Sequence, residues 1–260
     1  MPSNKDWKKT KTIYWKDELN DDFDEVGLKR PHVPKDYQYL RKLHVLSWMA
    51  YYFIAKPILG IYCFFHGIRV KGRKNLKPLK KTGYFIYSNH VAISDVFKFA
   101  SYAVPTKRVN IIGYSDALSL KAIRPLIRAL GYLPIPDDIE NLRRLKEAIS
   151  VLVNKKEIVL IYPEAHIWPY YTKIRNFKDV SFTYPAEMNK PVLPAVTVFT
   201  GKPGKKPRQT IIFGKAIYPN EDMTPLENKK YLHEQCLLQM RDIASKYDQV
   251  EYIEYIKVEE

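Results

Sequence analysis

The chain has 260 residues, enough for one α/β domain or two small ones with a sizeable core. Its 43 Lys and Arg against 28 Asp and Glu leave a net charge of +15, which calls for an anionic partner: nucleic acid, an acidic membrane surface or a phosphate-bearing substrate. Cys63 and Cys236 have no C-x-x-C neighbour, so a disulfide framework and a zinc signature are both excluded and a reducing compartment fits.

Residues 1–42 mix lysines with an acidic cluster (Asp21, Asp22, Asp24, Glu25) and do not read as a signal peptide. They are expected to form an irregular arm. The first apolar stretch, residues 43–65, is long enough to cross a bilayer on length alone. Lys56-Pro57 interrupts it near the middle, and Val45–Ala55 and Pro57–Phe65 are each too short to cross. Basic groups flank both ends: Lys35, Arg41 and Lys42 before it, Arg69, Lys71, Arg73 and Lys74 after it. Positive charge prefers the cytoplasmic face, so residues 43–68 are expected to form a pair of docking helices. Such a bent hairpin would dip in from one side and make the protein peripheral or monotopic.

From residue 83 onward, strand-like and helix-like runs alternate. Strands are predicted at Tyr84–Ser88, Val109–Gly113, Ile158–Tyr162, Val192–Phe199 and Gln209–Phe213. Helices are predicted at Asp95–Ala103, Leu118–Leu130, Ile139–Val153 and Leu226–Lys246, with Gly131 as a C-terminal signal and Asp137-Asp138 at a helix start. Ile139, Leu142, Leu145, Ile149 and Leu152 make the apolar stripe of the third helix. Apolar strands between helices imply an α/β domain over 69–250, with a mainly parallel central sheet flanked by helices. Residues 251–260 are left as a tail.

Two of these strands end in polar groups. Tyr84–Ser88 runs into Asn89-His90-Val-Ala-Ile-Ser-Asp95, and Ile158–Tyr162 into Pro163-Glu164-Ala165-His166. A histidine can take a proton from a hydroxyl near neutral pH, and a nearby carboxylate can hold its tautomer and stabilise its charged form. On a continuous helix His90 and Asp95 would point about 140° apart at 3.6 residues per turn. They can meet only if His90 lies in a loop that folds back onto the first turn of the next helix, and Ser94 is a suitable N-cap for that helix. Because ligands gather at the carboxyl ends of strands in open α/β sheets, both polar clusters are expected to face one cleft.

In order and spacing, these segments resemble the four sequence blocks of the glycerolipid acyltransferase family, whose best-known members acylate 1-acylglycerol-3-phosphate. Asn89, His90 and Asp95 match the first block, N-H-x-x-x-x-D, in full. Gly131 and the apolar run after it match the second without its Arg, and Asp137-Asp138 stand there instead. Tyr162, Pro163 and Glu164 match the start of F-P-E-G-T-R, and Ala165-His166-Ile167 replace the rest. Pro194 fits the fourth block, and the resemblance spans roughly residues 45–215.

The resemblance implies a membrane-associated enzyme that moves an acyl group from acyl-CoA or acyl-carrier protein to a lysolipid hydroxyl, with no metal, no other cofactor and no nucleic acid. His90 would be the general base, Asp95 would orient it, and nearby backbone N–H groups would hold the oxyanion. Asn89, Glu164 and His166 would contact the acceptor. Lys173, Arg175 and Lys178 would replace the missing motif arginines at an acceptor phosphate.

Two other readings remain open on sequence alone. Gly113-Tyr-Ser115-Asp-Ala117 resembles a nucleophile elbow, which would make Ser115 the nucleophile of a serine hydrolase with His166 or His233. A non-catalytic protein that docks on anionic membranes would also use the charge.

Overall fold

The computed structural model describes residues 11–23, 30–40, 44–92, 94–119, 124–202 and 205–258. Arg41, Lys42, Asp24 and Glu25, singled out above, lie outside the described residues, as does part of the predicted Leu118–Leu130 helix.

The strands are β1 (Lys11–Trp15), β2 (Arg69–Lys71), β3 (Tyr84–Ser88), β4 (Val109–Gly113), β5 (Tyr132–Pro134), β6 (Ile158–Ile161), β7 (Val192–Thr200), β8 (Arg208–Phe213) and β9 (Ile253–Lys257). Seven of them form the central sheet in the order β2-β8-β7-β3-β6-β4-β5. Every pairing in it is parallel except the β7–β8 hairpin. Every residue of β3 and β6 is buried, as expected of parallel strands covered on both faces. Because side chains alternate along a strand, Phe85 and Tyr87 of β3 enter one core layer and Tyr84 and Ile86 the other.

The helices fill those two layers. We name α1 the helical run 44–65, α2 the run 95–103, α3 Arg124–Ala129, α4 Ile139–Asn154, α5 Thr183–Glu187 and α6 Pro225–Ser245. Helix α4 contributes Leu145, Ile149 and Leu152 to the first layer, and α6 contributes Leu232, Cys236 and Met240. Ile139 and Leu142, assigned above to the same apolar stripe, are exposed instead. The second layer is closed by Tyr51 and Cys63 of α1 and by Phe99 and Ala103 of α2.

Three expectations change. The docking segment is one continuous helix rather than a pair. Its middle turn, Ala50–Ala55, is π-helical, and Lys56 N–H bonds back to Tyr51 C=O across that wider turn. Helical dihedrals continue through Ala55 and Lys56, so Pro57 sits near the start of the Lys56–Phe65 segment, where a proline is tolerated. Residues 1–42 are not all irregular arm, because β1 pairs in parallel with β9, and residues 251–260 are therefore not merely a tail. Trp15 and Tyr255 fix this small sheet by packing on Trp168, with ring centroids 5.2 and 5.1 Å away. Finally, Ser94 stands at the N-cap position of α2 as expected but makes no side-chain cap bond: its backbone already has helical dihedrals, and its hydroxyl lies 3.4 Å from Gln209 Oε1.

Gly83 fixes how closely β3 follows α4. A Cβ there would lie 2.0 Å from the carbonyl oxygen of Val153. Gly83→Ala should therefore destabilise the fold by at least about 2 kcal/mol, the scale of core overpacking. Urea unfolding, with the midpoint falling at unchanged slope, checks this.

Candidate active site

Strand β3 ends at Ser88, and the chain turns so that residues 89–92 wrap the first turn of α2. Asn89 is buried and clamps this loop to the neighbouring strand. Its amide donates to Thr197 C=O at 3.0 Å and accepts from Thr197 N–H at 2.8 Å. Its polar atoms are thus spent on β7, so the side chain holds the loop rather than meeting a ligand.

Beyond that clamp the loop folds back. His90 Nδ1 lies 3.0 Å from Asp95 Oδ2, and the same oxygen accepts the N–H groups of Val91 and Ala92 at 2.8 and 3.0 Å. Asp95 Oδ1 faces the ammonium of Lys98, three residues along α2. Asp95 and Lys98 side chains are wholly buried, whereas the imidazole keeps 13% exposure. Burial by itself pushes the Asp95 carboxyl up, but the Lys98 charge and the contact with His90 more than reverse this and hold it below the usual carboxylate range. An ionised carboxylate only accepts, so Nδ1 carries the proton and Nε2 has the lone pair. The ring is stacked on Tyr162, centroids 4.3 Å apart, and Tyr162 hydroxyl donates to Asp95 C=O at 2.6 Å.

A second buried charge lies beside this pair. Glu164 Oε2 accepts His90 N–H at 3.2 Å and an Arg175 Nη2 proton at 3.2 Å, while Oε1 accepts Arg175 N–H at 3.0 Å. Burial raises the Glu164 carboxyl above the usual carboxylate range, and Arg175 and the two backbone donors offset this only in part. Arg175, expected to grip a phosphate, is fully buried with its guanidinium also donating to His166 C=O and lying 4.7 Å over the Trp168 ring. Lys173 and Lys178 are exposed while Arg175 is buried, so the structure does not present the three cations on one surface. His166 Nδ1 lies 3.1 Å from the Asp22 carboxylate, which also holds Arg30. The N–H groups of His90, Val91 and Ala92 are committed to carboxylates, which removes them as oxyanion donors.

The hydrolase arrangement around Ser115 is not formed. Ser115 opens a 3₁₀ turn after β4 and has no positive φ, whereas a nucleophile elbow is a strained turn. His233 Nε2 is bonded to Phe177 C=O at 2.9 Å, and His166 Nδ1 is turned to Asp22.

A family model described as Acyltransferase matches residues 67–198, just over half of the chain. The chain belongs to the Acyltransferase family. In fold it is similar to the 1-acyl-sn-glycerophosphate (LPA) acyltransferase PlsC from Thermotoga maritima, with a TM-score of 0.52 at 16% identity over 81% of this chain and 100% of that one. A search of curated proteins finds no match.

Within this acyltransferase fold the departures from the family blocks have local causes. Asp138, where a motif arginine was expected, caps α4 by accepting Asn141 N–H at 2.8 Å, and Asp137 pairs with His32 at 3.1 Å. Ala165 takes the place of the third-block glycine and keeps the backbone a glycine would choose, φ +64°. There it makes a tight three-residue turn, His166 N–H to Glu164 C=O at 2.7 Å, which is the strained form of the γ-turn. Sequence reasoning missed Lys98. Its spacing of three from Asp95 on a predicted helix was the available signal.

A left-handed alanine costs about 1 kcal/mol, partly offset by the greater unfolded freedom of glycine. Ala165→Gly should thus stabilise the protein by a few tenths to about 1 kcal/mol, seen as a higher urea midpoint.

Proposed function

We propose that this acyltransferase moves a fatty acyl group from a thioester of coenzyme A or an acyl-carrier protein to a hydroxyl of a lysophospholipid or similar glycerolipid, 1-acylglycerol-3-phosphate or a relative. The observation that carries this reading is an imidazole bonded through Nδ1 to a buried, ionised carboxylate just past the end of a central strand. His90 Nε2 takes the proton of the acceptor hydroxyl as its oxygen attacks the thioester carbonyl carbon. Collapse of the tetrahedral oxyanion breaks the C–S bond, and the imidazolium returns the proton to the departing thiolate. The products are an ester and a free thiol, with no covalent enzyme intermediate. Asp95 stabilises the imidazolium between the two transfers.

Glu164 and Arg175 brace the His90 backbone in this scheme. The exposed Lys173 and Lys178 remain the cations for an acceptor phosphate, and His166 is a polar contact at the rim.

His90→Ala should lower kcat by about a thousandfold or more with an unchanged melting temperature, the scale of losing a positioned base. Asp95→Asn should fall nearly as far, because an amide cannot stabilise the imidazolium. Thiol release from acyl-CoA in the presence of a lysolipid measures both, and full transfer rates in both variants would sink the proposal.

Helix α1 supports a place on a membrane, and the basic residues Arg69, Lys71, Arg73 and Lys74 after it favour the cytoplasmic face. Val45–Phe65 is long and apolar enough to cross a bilayer by length and composition, and only 17% of it is buried. One face is docked on the second core layer through Tyr51 and Cys63, while Phe53, Ile58, Phe64 and Phe65 are exposed. A helix tied down along one side lies in the interface rather than crossing it. The net charge of +15 adds attraction to anionic lipid. Replacing Phe64 and Phe65 together by Asp should release the protein from phosphatidylglycerol-containing vesicles in a flotation assay and leave its melting temperature unchanged.

A further inference from the structure

The His90–Asp95 pair rests on a third charge. Lys98 is a wholly buried ammonium, and its ion-pair partner among the described residues is Asp95. Burying a lysine costs several kcal/mol unless it is paired, and here the two N–H groups and the imidazole all meet Asp95 Oδ2, so that the Lys98 ammonium is what answers the buried Oδ1. We propose that Lys98 is a positioning residue that sets the proton affinity of the His90–Asp95 pair, making the site a Lys98–Asp95–His90 relay. The mechanistic use of this relay rests on the acyl-transfer reading above, but the electrostatic effect does not.

The reasoning follows from charge. With Lys98 in place the resting pair of neutral imidazole and carboxylate is balanced overall, and adding a proton leaves a net buried positive charge. Without Lys98 the resting pair is a buried anion, and taking up a proton neutralises it. The pair then holds its proton to higher pH, whichever of the two groups carries it. Lys98 therefore keeps the imidazole available as a base at neutral pH.

The other groups facing the pair do not take over this role. Tyr162, from the end of β6, is a buried phenol whose ionisation burial pushes well above its ordinary range. Glu164 is matched by Arg175. Cys63 of α1, 3.8 Å from Ser101 Oγ, is a thiol that burial pushes up. Lys98 is thus the cation that faces the Asp95 carboxylate directly.

The test is Lys98→Met in the full-length protein. Following the His90 ring resonances by NMR against pH needs no substrate, so it stands even if wild-type protein transfers no acyl group, which would instead count against the proposed function. The midpoint of proton uptake by the pair should rise by about one pH unit or more, the usual effect of a neighbouring charge. In acyl transfer the acidic limb of kcat/KM should rise by the same amount, with a loss at pH 7 of up to tenfold for each unit of rise, recovered at high pH. Lys98→Arg should stay near wild type in both. An unmoved midpoint in folded Lys98→Met, or an activity loss equal at every pH, overturns the proposal. Should the single variant not fold, Lys98→Met/Asp95→Asn, which removes both charges, should regain the fold. A double variant as unstable as the single one would overturn the pairing itself.

Discussion

Removing a carboxylate from water at the end of a central strand costs several kcal/mol before any partner is counted. Asp95 is in that position, and the local structure around it is arranged to offset the cost. The segment 89–92 must wrap backwards so that Val91 and Ala92 present their N–H groups to one oxygen, and α2 must begin at Asp95 so that Lys98 reaches the other. Asn89 then has to anchor the start of the loop to β7, because a loop that swung away would leave the carboxylate unpartnered. The geometry of His90 follows from these constraints. Its imidazole is trapped between a fixed carboxylate at Nδ1 and the face of Tyr162.

The same device is used again two strands' width away in sequence but in contact in space. Glu164 is as buried as Asp95, and Arg175 and two N–H groups answer it. One of those N–H groups belongs to His90, so the two buried carboxylates share a residue, one holding its backbone and the other its ring. Losing either would disturb the imidazole. The N-terminal segment closes over this second pair. Asp21 C=O accepts from Trp168 Nε1 at 2.8 Å, Glu18 accepts from Asn176 Nδ2 at 2.9 Å, and Phe23 N–H donates to Ile167 C=O at 3.2 Å.

Much of this was legible in the sequence because it is local. Five of the seven strands of the central sheet announce themselves as largely apolar runs, whereas the three-residue β2 and β5 are too short to do so, and the His90–Asp95 contact follows from spacing once a helix is required to start between them. What was not legible depends on partners far away in the chain. Lys11 and Ile253 are joined only in the folded state, and β1 carries no turn signal that could announce a strand found 242 residues later. Arg175 reads as a surface cation beside Lys173 and Lys178, and only the buried Glu164 turns it inward. Lys56-Pro57 reads as a helix break, yet a π turn before it lets one helix pass through.

These hidden partners also bear on the missing motif arginines. Where the family places cations for an anionic group, this chain has Asp138 tied up in a helix cap, and the loop after Glu164 has Asp22 and Glu18 laid against it. Arg175 cannot simply step in, because freeing its guanidinium would strand Glu164 in a dry interior and so loosen the backbone N–H of His90. A buried ion pair is far costlier to break at one partner than to leave intact. The surroundings of the imidazole are therefore poorer in free cations than the overall charge of +15 suggests, and that charge resides largely on exposed lysines. Buried ions and net charge serve different ends in this molecule: the buried Asp95–Lys98 and Glu164–Arg175 pairs fix one histidine, while the unbalanced positive charge faces outward, on the same body that exposes the apolar side of α1.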